Sequence, residues 1–253
     1  MDDKEIRHMR RVEDDHWWFR AKDEFILHKL IPFKQLSGNV LDMGCGTGRF
    51  LHVLETCFSN HFSDYQLFGL DMSDASINYA SDHSKALIVK GNAAVTGFAD
   101  NFFSLVVTSD VLEHLEDDGA GLKEIFRILS PGGYVVVTVP AYQWLWSGHD
   151  KALSHKRRYT GTSLSLAMKK SGFALKKLGY YYGILFPLLL VLRSFIIIKE
   201  KITAFKEKNG TYIDQVLPPS VINKLLYRVC VFEREFCAVP FGSTVYAVAQ
   251  KEK

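Results

Sequence analysis

The chain has 253 residues, 47% hydrophobic and 23% charged, with 18 Gly and 7 Pro. That composition belongs to a globular protein with a sizeable core and excludes wholesale disorder or a collagenous chain. Lys plus Arg at 31 against Asp plus Glu at 28 leave a net charge of +3, so no overall nucleic-acid footprint is present and no nucleic-acid partner is expected.

In chain order, the start Met1-Asp2-Asp3-Lys4-Glu5 is acidic and polar, unlike a secretory leader. A stretch ending in His16-Trp17-Trp18-Phe19-Arg20 follows, then an amphipathic run through Phe25-Ile26-Leu27. From Asn39 onward, apolar runs alternate with amphipathic ones. Strands are expected at Val40 to Met43, Gln66 to Asp71, Ala86 to Lys90, Leu105 to Ser109 and Tyr134 to Val139. Helices are expected at Arg49 to Cys57, Ala75 to Ala80 and Leu122 to Leu129, with Ser130-Pro131-Gly132-Gly133 as a stop before the fifth strand. Ala174 to Tyr181 and Ser243 to Ala249 add two strands, which an antiparallel edge hairpin accommodates. There is no internal repeat and no Ser/Gly-rich linker. Cys45, Cys57, Cys230 and Cys237 contain no CxxC pair, and no His cluster has zinc spacing, so neither a disulfide framework nor a metal site is expected. A reducing, cytoplasmic compartment fits that pattern.

The sharpest local signal is Val40-Leu41-Asp42-Met43-Gly44-Cys45-Gly46-Thr47-Gly48-Arg49-Phe50, a strand running through a glycine turn into a helix. Glycines there let the backbone approach a ligand, and the helix start presents free amide hydrogens. A dinucleotide GxGxxG is not met, since Arg49 stands at its third glycine, and no Gly-Lys-Ser/Thr follows for a phosphate loop. The stretch resembles motif I of the class I S-adenosylmethionine-dependent methyltransferases, an acidic residue followed by GxGxG, matched by Asp42, Gly44, Gly46 and Gly48 around Cys45.

Asp71, ending the second strand, can accept from the two ribose hydroxyls of a nucleoside, with Met72 packing on adenine; the alternative is a cap on the next helix. Asn92 with Ala93 resembles the family's adenine-edge position, usually Asp, or is a simple turn residue. Ser109 and Asp110, in Ser109-Asp110-Val111-Leu112-Glu113-His114-Leu115, resemble the segment lining the methionine end of the cofactor, with Glu113 and His114 as secondary candidates. The resemblance covers roughly residues 38 to 140. It implies S-adenosylmethionine as cofactor and an α/β fold: a Rossmann-like parallel sheet with an antiparallel edge hairpin, helices on both faces and an apolar helical insert. The corresponding division is 1–36 as N-terminal lid helices, 37–179 as the core with a substrate loop at 141–165, 180–241 as the insert, and 242–253 as the returning strand.

The HWWF segment resembles the helix that covers the cofactor cleft in many family members. Trp18 then helps exclude water and Arg20 reaches the cofactor carboxylate; peripheral packing accounts for at least one of the two tryptophans. Beyond the fifth strand, the loop carrying Trp146, His149, Asp150, His155, Arg157, Arg158 and Tyr159 leaves the carboxyl end of the sheet, where acceptors bind. His149 or His155 can take a proton from an acceptor hydroxyl, with Asp150 fixing a tautomer. Arg157 and Arg158 can grip a phosphate or carboxylate beside Trp146 and Tyr159, or brace a structural turn.

The run from Tyr180 to Ile198 approaches the ~20 residues of a membrane span. Pro187 and Arg193 count against a simple span, and a strand returning to the sheet rules out an odd number of crossings. A helix lying in the interface is the preferred expectation, anchored by Tyr180 to Tyr182 and by Lys199, Lys201, Lys206 and Lys208; a re-entrant hairpin, burial, or a homodimer contact are the alternatives. Val221, Leu225, Val229, Phe232 and Phe236 recur at helical spacing and either join that surface or pack in the core. The expected function is methyl transfer from S-adenosylmethionine to an oxygen, with nitrogen or carbon as the less favoured alternatives, of a lipid or lipid-linked acceptor by an enzyme peripheral at the inner face of the membrane. The alternatives are a soluble small-molecule methyltransferase and a non-catalytic protein that binds the cofactor.

Overall fold

The computed structural model describes residues 3–33, 37–58, 65–191, 217–237 and 239–252. Two helices, α1 (Asp3–Val12) and α2 (Trp17–Leu30), precede the alternation of β1 (Gly38–Met43), α3 (Arg49–Phe58), β2 (Tyr65–Asp71), α4 (Asp74–His83) and β3 (Leu87–Lys90). Then come β4 (Phe103–Ser109), α5 (Asp118–Ile128), β5 (Leu129–Pro140), α6 (Gly148–Ala152), α7 (Gly161–Lys170) and β6 (Ala174–Tyr181). A helix α8 occupies 186–191, where the described stretch ends; α9 (Ser220–Phe236) and β7 (Thr244–Gln250) complete the chain.

The seven strands lie in the order β3-β2-β1-β4-β5-β7-β6, and β7 alone runs antiparallel to its neighbours. The expected mixed sheet and its edge hairpin are therefore present. Alternation along the strands builds a core on each face, because successive side chains point opposite ways. Leu41, Met43, Val106, Val135 and Val137 meet Leu122 and Ile125 of α5 and Leu164 and Met168 of α7. Val40, Leu105, Val107, Val136 and Val248 meet Phe25 and Ile26 of α2, Leu54 of α3 and Cys230 of α9. Each fully buried aliphatic side chain contributes about 1.5–3 kcal/mol. Strand order reverses between β1 and β4, which opens a crevice at their carboxyl ends.

Two expectations are corrected. Ser130 to Gly133 do not stop before β5 but lie within it, because Gly132 N donates to Lys251 O (2.7 Å) and Lys251 N to Gly133 O (3.0 Å). Tyr181 and Tyr182 are not interfacial anchors: both are buried, Phe25 stacking on Tyr181 at 4.0 Å and Trp18 on Tyr182 at 6.1 Å. Tyr180 ends on the other face, stacked on Tyr142 at 5.5 Å and accepting from Gly161 N (2.9 Å). Lys199, Lys201, Lys206 and Lys208 lie outside the described residues. Among the described residues no helix is long and apolar enough to cross a membrane.

Candidate active site

The turn after β1 is folded back onto the end of β2. Gly44 N and Cys45 N both donate to Leu70 O, at 2.7 and 3.1 Å. Gly44, Gly46 and Gly48 have φ of 83°, 53° and 82°, the left-handed region glycine adopts freely. Asp71 closes the arrangement: Oδ2 accepts from Gly46 N (3.0 Å) and Oδ1 from Ser73 N (2.9 Å). The cap role is divided, since Ser73 itself caps α4 by accepting from Ser76 N. Each Asp71 oxygen keeps a further acceptor direction, which suits a vicinal diol.

Open space at Gly46 tests whether a nucleoside fits. A Cβ there would meet nothing within 4 Å, whereas one on Gly44 would meet Val111 at 2.2 Å and one on Gly48 would meet Ala80 at 2.7 Å. The outer two glycines thus serve packing and the middle one faces open space beside a carboxylate, as a nucleoside cradle requires. Met72 is 70% exposed beside it, available to a flat base. Cys45 is buried against Leu51 and Ala80, and burial pushes its thiol up. Ala93 belongs to the core and Asn92 Oδ1 accepts from Ala94 N (2.8 Å), the turn geometry of its alternative reading.

Asp42 lies buried beneath the turn. Burial, and then repulsion from Asp71, push its carboxyl up to about 7 from 3.8. The folded state therefore holds more protons between these values, and the associated stability, full below about pH 4, is lost as pH rises through about 7. Asp42→Asn is expected to remove that dependence: the variant gains on the wild type by on the order of 2–4 kcal/mol between about pH 5 and pH 8, read from denaturant unfolding.

Helices α1 and α2 close over the turn. Thr47 Oγ1 donates to buried Glu13 (2.6 Å), and Arg49 pairs with Asp23. Arg20 does not turn toward the cleft; its guanidinium sits 4.6 Å over the Tyr227 ring of α9. Lys22 is the cation that faces the end of β4. It is buried, pairs with Asp110 and lies 4.5 Å over the Trp18 ring. Asp110 itself adopts φ 54°, and Ser109 Oγ shares a hydrogen bond with Thr138 Oγ1 (2.9 Å).

In the loop after β5, the structure brings Asp150, His155 and Arg158 together. Asp150 is fully buried and accepts from His155 Nδ1 (3.0 Å), Arg158 Nε (2.6 Å), Arg158 Nη2 (3.1 Å) and Ser147 N (2.9 Å). Burial pushes this carboxyl up, but the hydrogen bonds of His155 and Arg158 outweigh it and hold the group below the usual carboxylate range. Asp150→Ala would strand a buried guanidinium, and about 3–5 kcal/mol of stability is expected to be lost in thermal or denaturant unfolding. The substrate-gripping reading of the arginines is corrected accordingly. Arg158 braces Asp150 and Ala141 O, while Arg157 binds Asp118 (2.7 Å) and the carbonyls of Leu115 (2.8 Å) and Glu116 (2.7 Å). Tyr159 is buried in the core and donates to Asp118 (2.7 Å). Trp146 is half-buried, and the His149 ring stands 6.4 Å from that of His155.

Three features escaped the sequence reading. Lys22 is one; its signal was an intrahelical cation two residues from Arg20. A second is the aromatic cluster of Tyr142, Trp144, Tyr180, Phe186 and Phe241, with ring centroids 5.4–6.2 Å apart, which joins the loop after β5 to α8. The third is the packing of His114 against His155 at 4.8 Å. Burial, then His155, push His114 down to about 4.

Comparison with known proteins identifies the family. A family model described as a methyltransferase domain matches residues 15–178. A protein of Mycolicibacterium smegmatis described as a probable S-adenosylmethionine-dependent methyltransferase is 26% identical over 176 residues, 68% of this chain and 65% of that protein. The sterol 24-C-methyltransferase of Aspergillus fumigatus is 34% identical over 132 residues, 49% of this chain and 32% of its own. The chain thus spans less than two thirds of either relative. Among solved structures, a chain of the Haloferax volcanii complex between the Trm112 methyltransferase activator and a methyltransferase superposes with a TM-score of 0.61 at 18% identity, covering 99% of this chain and 96% of that one.

Proposed function

The chain belongs to the S-adenosylmethionine-dependent methyltransferases, and from that premise we propose that it is an enzyme that methylates a lipid or lipid-linked acceptor while resting on a membrane surface. When bound, S-adenosylmethionine supplies an electrophilic sulfonium methyl. Asp71 holds the ribose hydroxyls, Gly46 lets the nucleoside approach the backbone, and Met72 covers the base. Trp18 and the α1–α2 pair exclude water from the transfer. The acceptor oxygen takes the methyl and gives its proton to an imidazole of the loop after β5, His149 or His155, with Asp150 fixing the His155 tautomer.

One observation carries the choice of acceptor: an apolar surface runs from the acceptor loop outward. Its inner part is the aromatic cluster around Tyr142 and Phe186. Its outer part is Leu188 and Val191 of α8, both more than half exposed. Buried Glu233 of α9 accepts from Gly183 N (2.9 Å) and Ile184 N (2.8 Å), which fixes the α8 start to α9. On α9, Val221 (79% exposed), Leu225, Phe232 and Phe236 (75% exposed) form the stripe turned away from α2. Patches of this kind mark interaction surfaces. The sterol named in the Aspergillus relative's description supports an apolar acceptor.

The test is to incubate the protein with methyl-labelled cofactor, anionic vesicles and a cell lipid extract. Label entering the organic phase, and falling with vesicle binding when Val221, Leu225, Phe232 and Phe236 are changed to serine, is the expected result. Label confined to water-soluble products, or no vesicle binding by the wild type, contradicts it.

A further inference from the structure

The loop after β4 and the loop after β5 meet at three side chains that the methyl-transfer reading leaves without a joint role. A carboxylate oxygen of Glu113 and one ring nitrogen each of His114 and His155 all lie within 4.8 Å of one another. We propose that Glu113, His114 and His155 bind one divalent transition-metal cation of the Zn2+ type.

Glu113 carries the argument first. It is fully buried, and neither carboxylate oxygen has a hydrogen-bond partner among the described residues. Held as an anion, a buried carboxyl in that condition costs several kcal/mol unless a positive partner meets it. Lys22 does not serve, because its ammonium is paired with Asp110, and Arg158 is committed to Asp150 and Ala141 O. The two imidazoles are the groups at hand, and neither is within hydrogen-bond distance of Glu113. Ligand-scale spacing without direct bonds is what a shared cation between them resolves.

His155 is oriented as a ligand. His155 Nδ1 is turned to Asp150 Oδ1 at 3.0 Å, and that carboxylate is locked by Arg158 and Ser147. With the proton on Nδ1, Nε2 keeps its lone pair, the arrangement by which a carboxylate fixes a metal-binding imidazole. His114 packs edge-on against that ring, with centroids 4.8 Å apart. Lys156 N donates to Glu113 O (2.7 Å), so the backbone already ties the two loops at this point. Donors about 2.1 Å from a tetrahedral ion stand about 3.4 Å apart, so binding draws the three atoms inward by roughly an ångström. Two imidazoles and one carboxylate select a borderline transition ion over Mg2+ or Ca2+ and leave a position for an oxygen ligand. The inference gives His155 a ligand role in place of the base role, and cation binding is measured without methyl transfer, so the two readings fail separately.

The test uses the full chain freed of metal by chelation and dialysis, titrated with Zn2+ alone and with Co2+ alone. One ion per chain is expected, with binding weakened about 100-fold or more by Glu113→Gln and by His155→Ala, and unchanged by His52→Ala on the surface. A readout on the wild type alone covers variants that fail to fold: Co2+ is expected to give two of the nine histidines the large contact shifts of direct ligation, with smaller through-space shifts at His149, whose ring stands 6.4 Å from that of His155. No stoichiometric binding, binding indifferent to both variants, or contact shifts of that size at other histidines would overturn the assignment.

Discussion

Replacing Asp71 by alanine is expected to weaken S-adenosylmethionine binding about 100- to 10,000-fold by isothermal titration, because two hydrogen bonds to a charged acceptor, each worth about 1.5–3 kcal/mol, disappear together. The carboxylate has a second task that sharpens the effect. It fixes Gly46 N and Ser73 N at 3.0 and 2.9 Å, so the turn after β1 and the start of α4 lose their common anchor. Asp71→Asn separates the tasks. Its amide can keep one oxygen on the backbone while the charge toward the diol is lost, so binding is expected to fall between the wild type and the alanine variant. Affinity unaltered in both variants would mean that the nucleoside lies elsewhere.

A contrast between two glycines is the second large effect. Gly48→Ala places a methyl 2.7 Å from the Ala80 backbone at a φ of 82°. Neither side can yield cheaply, and a loss of about 3 kcal/mol or more is expected, a fall in Tm of roughly 6–12 °C. Gly46→Ala meets no atom of the protein within 4 Å and has φ 53°, so its structural cost is about 1–2 kcal/mol. Its methyl stands where the nucleoside would approach, and cofactor affinity is expected to fall roughly 10- to 100-fold while the protein stays folded. The pair is checked by differential scanning calorimetry beside titration calorimetry. Equal damage to folding from both substitutions, with no selective loss of binding at Gly46, would argue against the cradle.

The sheet was legible because its parallel strands are buried on both faces, so Val40 to Met43 and Leu105 to Val107 read as apolar runs. The glycine turn and Asp71 were legible because a strand ending in a carboxylate or glycines leaves little else to read. Side-chain destinations were not. Arg20 and Lys22 are two residues apart on α2, so they point to different sides of the helix, and only the docking of α9 decides which one faces the cleft. Arg157 and Arg158 looked like anion ligands because their partners, Asp118 and Asp150, are set by how α5 and α6 pack. The turn signal of Ser130 to Gly133 was overridden by pairing with Lys251, more than a hundred residues later. Aromatic residues at 180–182 looked like headgroup anchors, yet Tyr182 takes φ 64° just past β6 and turns inward with Tyr181.

The most direct measurement is a crystal structure of the protein with S-adenosylhomocysteine. The account predicts ribose hydroxyls on Asp71, the backbone of Gly46 against the nucleoside, and the amino-acid end reaching toward Asp110 and Lys22. Product bound outside the crevice between β1 and β4, or a crevice filled by the side chains of α1 and α2 with no product in it at saturating concentration, would contradict it.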